Sequence, residues 1–217
     1  MIKKSILLFL IVLIGAITSN AWAQKTPALK NGFSIKAQLG FPSKDFGWTD
    51  EVLDDFKEDY KYGITYGLQV GNQWYFYTQE SLGIGLMVNW IDVSGATKEI
   101  TTDLGTLDRA TLDVGLVEFG PVFTIAVDDP MAIDIYYNLR PTAMSTAYKF
   151  DDEDGEAYGG FGVTHAFGAG FRFKLLYAGV EYVTGSVKVS QDSTDEEMWK
   201  DDKMKADCFR IVAGVKF

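Results

Sequence analysis

Residues 62–71 read Tyr-Gly-Ile-Thr-Tyr-Gly-Leu-Gln-Val-Gly, and this stretch decides the fold class. Aromatic or aliphatic side chains occupy every second position, and glycine, threonine or glutamine occupies the positions between them. A strand points successive side chains to opposite faces, so strict alternation predicts a β-strand with one apolar and one polar face.

The same alternation recurs along the chain and predicts eight strands. They lie in residues 32–41, 62–71, 82–90, 110–126, 133–140, 161–173, 176–183 and 208–217. In the fourth, the apolar phase slips near Glu118–Pro121, which predicts a β-bulge there. An all-β fold with eight antiparallel strands follows.

The connections between these strands differ in length, and the connection at residues 72–80 is intermediate. Residues 42–61, 94–109, 143–158 and 185–204 form long polar segments, whereas the connections at Asp128-Asp129-Pro130 and around Lys174 are tight. Long loops at one end and short turns at the other are typical of an up-and-down transmembrane barrel with extracellular loops and periplasmic turns. Within the first long loop, the spacing of Val52, Phe56 and Tyr60 predicts a short helix.

The first 23 residues have the layout of a Sec-type signal peptide. Lys3 and Lys4 precede an apolar stretch over residues 5–18, and Ala21-Trp22-Ala23 supplies the small residues of a cleavage site. That stretch is shorter than the ~20 residues of a membrane-spanning helix. We therefore expect cleavage before Gln24, with residues 24–217 forming an outer-membrane barrel domain.

Composition excludes several classes of protein. A net charge of −10 has the wrong sign for a nucleic-acid binder. The single cysteine, Cys208, excludes an internal disulfide framework and a multi-cysteine zinc site. Of the 30 acidic residues, 18 lie in residues 42–61, 151–156 and 191–203, so the predicted loops form an acidic surface.

Alternation alone leaves open which face is outside, because a soluble periplasmic lipocalin-like barrel also has eight strands and an apolar interior. The polar face carries many glycines together with charged residues, which suits a narrow lumen filled by side chains. Aromatic residues such as Phe41, Trp90 and Phe173 cluster near strand ends, as interfacial girdles require. Both features favour the membrane.

The chain ends on Phe217, after an amphipathic strand that contains Gly214. This layout resembles the small eight-stranded bacterial outer-membrane barrels of the OmpA/OmpX type and the outer membrane protein beta-barrel domain family. The resemblance implies contact with outer-membrane lipid and lipopolysaccharide. It also implies that the assembly machinery recognises the last strand through Phe217, although Gly214 stands nearer the end than in the common signal.

Charged residues in such a narrow lumen must pair, because an unpaired buried charge is costly. Counting from the short turns puts Glu181 near Arg210 and Glu118 near Arg140, and we expect both pairs. Lys36 and Asp134 also fall on the lumen-facing phase. The prediction is a plugged barrel with a structural or surface-interaction role; a narrow ion-conducting pore is the alternative.

Nothing in the sequence predicts a catalytic, cofactor or metal site. His165, the only histidine, lies on the apolar phase with no serine in its strand, so a lipid-A-modifying enzyme is a weaker alternative. The acidic stretch 151–156 resembles a calcium loop, but Gly155 would place Phe150 at the first ligand position. Cys208 is expected to pack in the lumen.

Overall fold

The computed structural model describes residues 27–48, 61–102, 105–151, 155–190 and 203–217. The predicted signal peptide, the predicted helix around Val52–Tyr60 and most of the acidic loop residues lie outside these ranges. After a single 3₁₀ turn, Pro27–Leu29, the chain forms nine strands. These are β1 Gly32–Pro42, β2 Thr65–Gln79, β3 Leu82–Thr102, β4 Gly105–Asp128, β5 Met131–Phe150, β6 Glu156–Phe173, β7 Leu176–Ser190, β8 Lys203–Lys205 and β9 Cys208–Lys216.

The strands close into a barrel. From β1 to β7 each strand pairs antiparallel with the next along the chain. The short β8 and the longer β9 both pair with β7, and together they form the eighth position of the ring. Pairing of β9 with β1 completes the closure, so the predicted eight-stranded up-and-down barrel is confirmed.

The apolar face is outside, as predicted. Along β5 the side chains of Asp134 and Tyr136 are buried in the lumen, whereas Ile133 and Ile135 are exposed. Exposed phenylalanines ring the outer face at positions 33, 41, 123, 161, 167, 171, 173 and 209. Tyr62 is an exception to the prediction, because β2 begins only at Thr65 and the Tyr62 side chain turns into the barrel mouth.

Bulges shift the alternation at two places that matter for the lumen. In β4 the pairing with β5 slips between Gly115 and Phe119, and Val117 has a positive φ of 52°. The extra residue turns Glu118 into the lumen, close to where the sequence predicts a bulge. In β3 a second slip leaves both Trp90 and Ile91 exposed.

Two of the predicted long loops are mostly strand. β3 and β4 extend to Thr102 and from Gly105, while β5 and β6 extend to Phe150 and from Glu156. Pairs such as Lys98 with Arg109 continue the ladder through polar sequence, because backbone hydrogen bonds do not depend on an apolar face. Residues 96–102, 105–111, 146–150 and 156–158 therefore rise beyond the apolar belt as a four-stranded sheet, here called the protruding sheet.

Candidate functional site in the sealed lumen

Two arginines hold the centre of the lumen. Arg140 of β5 places Nη1 2.9 Å from Asp113 Oδ1 and Nε 3.3 Å from Asp92 Oδ2. Arg210 of β9 places Nη1 2.7 Å from Asp92 Oδ2 and Nη2 3.0 Å from Asp113 Oδ2. Each aspartate thus bridges both guanidinium groups, and all four side chains are buried.

Two glutamates extend this network, which is called here the upper network. Glu118 Oε1 lies 2.5 Å from Arg140 Nε, and Glu181 Oε1 lies 3.2 Å from Arg210 Nη1. The structure therefore brings together both pairs expected from the sequence. It joins them through Asp92 and Asp113, which the sequence analysis did not select.

The sequence pattern fails to identify Asp92 and Asp113 as members of the network for two different reasons. Alternation counted from Leu82 points Asp92 outward, and the bulge at Trp90–Ile91 reverses its direction. Asp113 lies on the polar phase between Leu112 and Val114, so its position was readable from the sequence. Its energetic role depends on Arg140 of the next strand and on Arg210 of β9, five strands further along the chain.

A smaller cluster, called here the lower layer, lies nearer the short turns. Asp134 belongs to this cluster and not to the upper network. Its Oδ2 atom lies 2.6 Å from Arg172 Nε. Arg172 Nη2 donates to Tyr75 Oη at 2.9 Å, and Lys216 Nζ donates to Gln73 Oε1 at 3.0 Å. Alternation places Arg172 and Lys216 on the inner face, but it does not reveal that Arg172 is the partner of Asp134.

Lys36 lies between the two clusters. Its Nζ is 5.8 Å from the ring centroid of Tyr136 and 5.2 Å from that of Tyr177, and it has no hydrogen-bond partner among the described residues. Apart from Arg109, which lies at the mouth near the first long loop, the described lumen holds five buried carboxyl groups and five buried basic groups. Their ordinary charges cancel only when Lys36 is counted.

The chain itself closes the end near the short turns. Leu29 of the 3₁₀ turn is 1% exposed and packs with Ala28, Tyr75, Ala126 and Ala132. Arg172 Nη1 donates to the Ala28 carbonyl oxygen at 2.9 Å, which ties the turn to the wall. This plug, called here the turn-side plug, covers the lower layer.

The first long loop closes the other end. Phe46 is 1% exposed and packs with Met144, Val187 and Met204. The guanidinium of Arg109 lies 3.6 Å from the Trp48 ring centroid and donates from Nη2 to the Phe46 carbonyl at 3.0 Å. These contacts fix a second plug, residues 43–48, called here the loop-side plug. Sequence alternation does not predict it, because it depends on a loop folding inward.

Tyr62 completes this plug. Its ring meets that of Phe46 edge-on at 6.1 Å, and its hydroxyl lies 2.7 Å from Thr111 Oγ1. Burial raises the pKa of Tyr62 above its ordinary value, although Arg109 opposes the shift. The phenol therefore stays neutral and keeps its hydrogen bond at neutral pH.

Glycines make room for the large lumen side chains. A Cβ atom at Gly170 would lie 2.2 Å from the Tyr177 hydroxyl, and one at Gly168 would lie 2.1 Å from the Tyr136 ring. At Gly115 it would lie 2.2 Å from Glu118 Oε1. The alternation of glycine with apolar residues is thus a packing requirement of a crowded interior.

Two further residues with reactive side chains differ in position: Cys208 borders Arg210 of the upper network, whereas His165 lies apart from it. Cys208 is 1% exposed, and its Sγ lies 3.9 Å from Thr65 Oγ1. His165 is on the outer face, with Nδ1 2.7 Å from the Tyr137 hydroxyl. In the parts of the chain that the structure describes, no group of three or more His, Cys, Asp or Glu residues is placed to hold a metal ion.

No helix within the described ranges is long and apolar enough to cross a membrane.

The lumen and ring define the class of this protein as a plugged eight-stranded antiparallel barrel. No family model matches the sequence, and no curated protein matches it either. Among solved structures, the chain is similar to Ail, the attachment invasion locus protein of Yersinia pestis, with a TM-score of 0.48, 13% identity and coverage of 86% of this chain and 97% of that one. A major outer membrane protein from Thermus thermophilus has a TM-score of 0.46 and 16% identity, with coverage of 86% and 99%. The transport unit of the autotransporter AIDA-I from Escherichia coli has a TM-score of 0.39 and 9% identity, with coverage of 96% of each chain.

Proposed function

We propose that this chain is an outer-membrane barrel without catalytic activity, which anchors the protruding sheet and the acidic loops at the cell surface. The observation that carries the proposal is the combination of an apolar outer face with a charged lumen plugged at both mouths. The signal peptide expected over residues 1–23 supplies the route of export.

The outer face supports a membrane location. Soluble monomers rarely expose a contiguous apolar patch larger than a few hundred Å². Here exposed Phe, Ile, Leu and Val side chains face outward on every long strand from β1 to β9. A lipocalin-like soluble barrel needs an apolar interior, whereas this interior holds Arg140, Arg210 and their carboxylates.

The filled lumen favours an anchor over a pore. Leu29 and Phe46 each bury their side chains almost completely inside a mouth, and the space between them contains paired charges. An ion crossing the barrel would have to displace both plugs and part of the upper network. A rigid anchor needs no such movement.

The protruding sheet supports a surface-interaction role. The last pair between β2 and β3 is Tyr66 with Gly95, so residues 96–102 of β3 have no strand partner on that side among the described residues. An edge of this kind presents backbone N–H and C=O groups that an extended peptide can join as an added strand. We propose an extracellular polypeptide as the partner of this edge.

Two further contacts follow from the same location. Phe217 is exposed at the end opposite the protruding sheet, and its backbone N–H donates to the Phe33 carbonyl at 2.8 Å. We propose that the assembly machinery binds this last strand before closure against β1. Outer-membrane lipid and lipopolysaccharide would then surround the apolar belt.

Cysteine labelling on whole cells tests location and orientation together. In a Cys208→Ser background, Thr101→Cys places a thiol on the protruding sheet, and Lys174→Cys places one in the short turn between β6 and β7. A membrane-impermeant maleimide should label T101C on intact cells and K174C only after the outer membrane is opened. A protein that is released without detergent, or that labels equally at both sites on intact cells, would contradict the proposal.

A further inference from the structure

Tyr137 of β5 and His165 of β6 form a polar pair inside the apolar belt. The Tyr137 hydroxyl lies 2.7 Å from His165 Nδ1, and the two rings stack at 5.9 Å with 20° between their planes. On either side of His165 along the outer face of β6 lie Val163 and Phe167, both exposed. The pair therefore faces the same surroundings as these apolar side chains.

The Tyr137–His165 pair leaves one of its hydrogen-bond donors without an acceptor inside the pair. A phenol and a neutral imidazole carry one polar hydrogen each, and the bond between them uses only one, whichever tautomer the ring adopts. No other side-chain hydrogen bond of Tyr137 or His165 occurs within the described ranges. A donor left facing hydrocarbon is costly, so a neighbouring molecule with an acceptor oxygen is favoured there.

A polar track leads from this pair to the extracellular end. Thr184 of β7 lies directly opposite His165, and Lys188 follows it on the same outer face. Lys188 in turn lies opposite Lys203 of β8, and the neighbouring Lys205 shares their face. Three lysines thus gather on the outer wall of a chain whose net charge is −10.

The difference in depth between the Tyr137–His165 pair and the lysines matches the distance between the acyl chains and the phosphates of one lipid molecule. Lys188 lies four positions beyond Thr184, which is about 13 Å along a strand. A strand tilt of roughly 35–45° reduces this to about 10 Å of depth. The polar interface of a bilayer is about 5–8 Å thick on each side. With the lysines at the level of the phosphates, the Tyr137–His165 pair lies just inside the hydrocarbon, where acyl esters and acyl hydroxyls begin.

We propose that this outer wall binds lipopolysaccharide. The lysines hold a phosphate of its lipid A, and the Tyr137–His165 pair donates to an ester or hydroxyl oxygen of an acyl chain. We call this surface the glycolipid patch; its members are Tyr137, His165, Thr184, Lys188, Lys203 and Lys205. The assignment rests on the proposed outer-membrane location, and the extracellular end of the patch selects the outer-leaflet lipid.

Two double variants test the two halves of the patch. Tyr137→Phe with His165→Phe keeps the aromatic stack and removes every polar atom, while Lys188→Gln with Lys203→Gln removes two charges and keeps the side-chain length. Tyr66→Phe and Lys174→Gln are the matched controls, because they make the same kinds of change elsewhere on the barrel. His165→Gln retains a donor and an acceptor.

Native mass spectrometry of barrels extracted from outer membranes counts the bound lipopolysaccharide and phospholipid. We expect each double variant to carry about fivefold less lipopolysaccharide, the effect of one lost hydrogen bond or charge contact. The controls should match the unmodified protein, and His165→Gln, which keeps a donor, should retain more lipopolysaccharide than the double variant of Tyr137 and His165. Heat-modifiable gel mobility verifies that each variant is folded before lipids are counted.

Two outcomes would overturn the assignment. One is equal lipopolysaccharide on the folded double variants and the controls; the other is a loss of phospholipid in place of lipopolysaccharide. Membrane fractionation of the same cultures separates this failure from a failure of the proposed function. Barrels that fractionate with the outer membrane but show no difference between variants would refute the glycolipid patch alone.

Discussion

The upper network and the lower layer solve the burial of charge in different ways. With every group in its ordinary charge state, the upper network joins four carboxylates to two arginines, Arg140 and Arg210, and so carries an excess of negative charge. The lower layer joins one carboxylate, Asp134, to two cations, Arg172 and Lys216, and carries an excess of positive charge. Lys36 between them completes the balance.

This difference shows that neither cluster is neutral by itself. Removing either arginine of the upper network leaves four carboxylates with a single cation, because Asp92 and Asp113 each touch both arginines and keep only the other one. Removing Arg172 leaves one carboxylate, and that carboxylate keeps a second cation nearby in Lys216. Loss of a cation should therefore cost more in the upper network than in the lower layer.

Arg210→Met should have the largest effect. The change strips Asp92, Asp113 and Glu181 of a direct cationic partner, and breaking buried pairs in this way costs about 3–5 kcal/mol. The midpoint of urea unfolding in lipid vesicles should fall steeply, or folding should fail in the heat-modifiability gel. An unfolding midpoint equal to that of the unmodified barrel would contradict the shared network.

Arg172→Met measures the cost of losing a cation in the lower layer. It removes the partner of Asp134 and the hydrogen bond to the Ala28 carbonyl. We expect a loss of about 2–3 kcal/mol, smaller than for Arg210→Met because one carboxylate rather than three is affected. The same urea titration compares the unfolding free energies of the two variants. A larger loss for Arg172→Met would contradict the prediction that loss of a cation costs more in the upper network.

Gly170→Ala measures how tightly the interior is packed. Its Cβ would lie 2.2 Å from the Tyr177 hydroxyl, and overpacking of this kind costs about 1–3 kcal/mol. Adding Tyr177→Phe removes the clashing oxygen and should recover part of that loss in a double-mutant cycle. Strict additivity of the two changes would show that the contact is not tight.

Arg109→Leu should have a smaller, local effect. It removes the contact with Trp48 and the donor to the Phe46 carbonyl, so the loop-side plug loosens by about 1–2 kcal/mol. Added protease should then cut within residues 43–48 faster on whole cells, with little change in global unfolding. Unchanged cleavage would mean that Phe46 packing holds the plug without Arg109.

Alternation predicts much of this fold because a closed sheet with lipid outside and charge inside imposes a period of two on every strand. It also orders Glu181 and Arg210 correctly along their strands, since both are counted from short turns, and the two lie opposite each other in the ladder. Asp92 escapes such counting because one bulge residue reverses its direction.

Other features depend on contacts that a periodic pattern does not encode. The polar hairpin of β3 and β4 beyond Gly95 lacks an apolar phase, so its strands resemble loops in sequence. The two plugs depend on chain segments that fold inward, at Leu29 and at Phe46. The partnership of Arg172 with Asp134 depends on the register between β5 and β6, which alternation does not determine.

The most direct test of the account is the environment of the outer face in lipid vesicles. A nitroxide label at Ile135→Cys, in a Cys208→Ser background, should collide with oxygen more often than with a water-soluble nickel complex. The same label at Thr101→Cys, on the protruding sheet, should show the opposite preference. A label at position 135 that prefers the nickel complex would place the apolar face in water and contradict the barrel as a membrane protein.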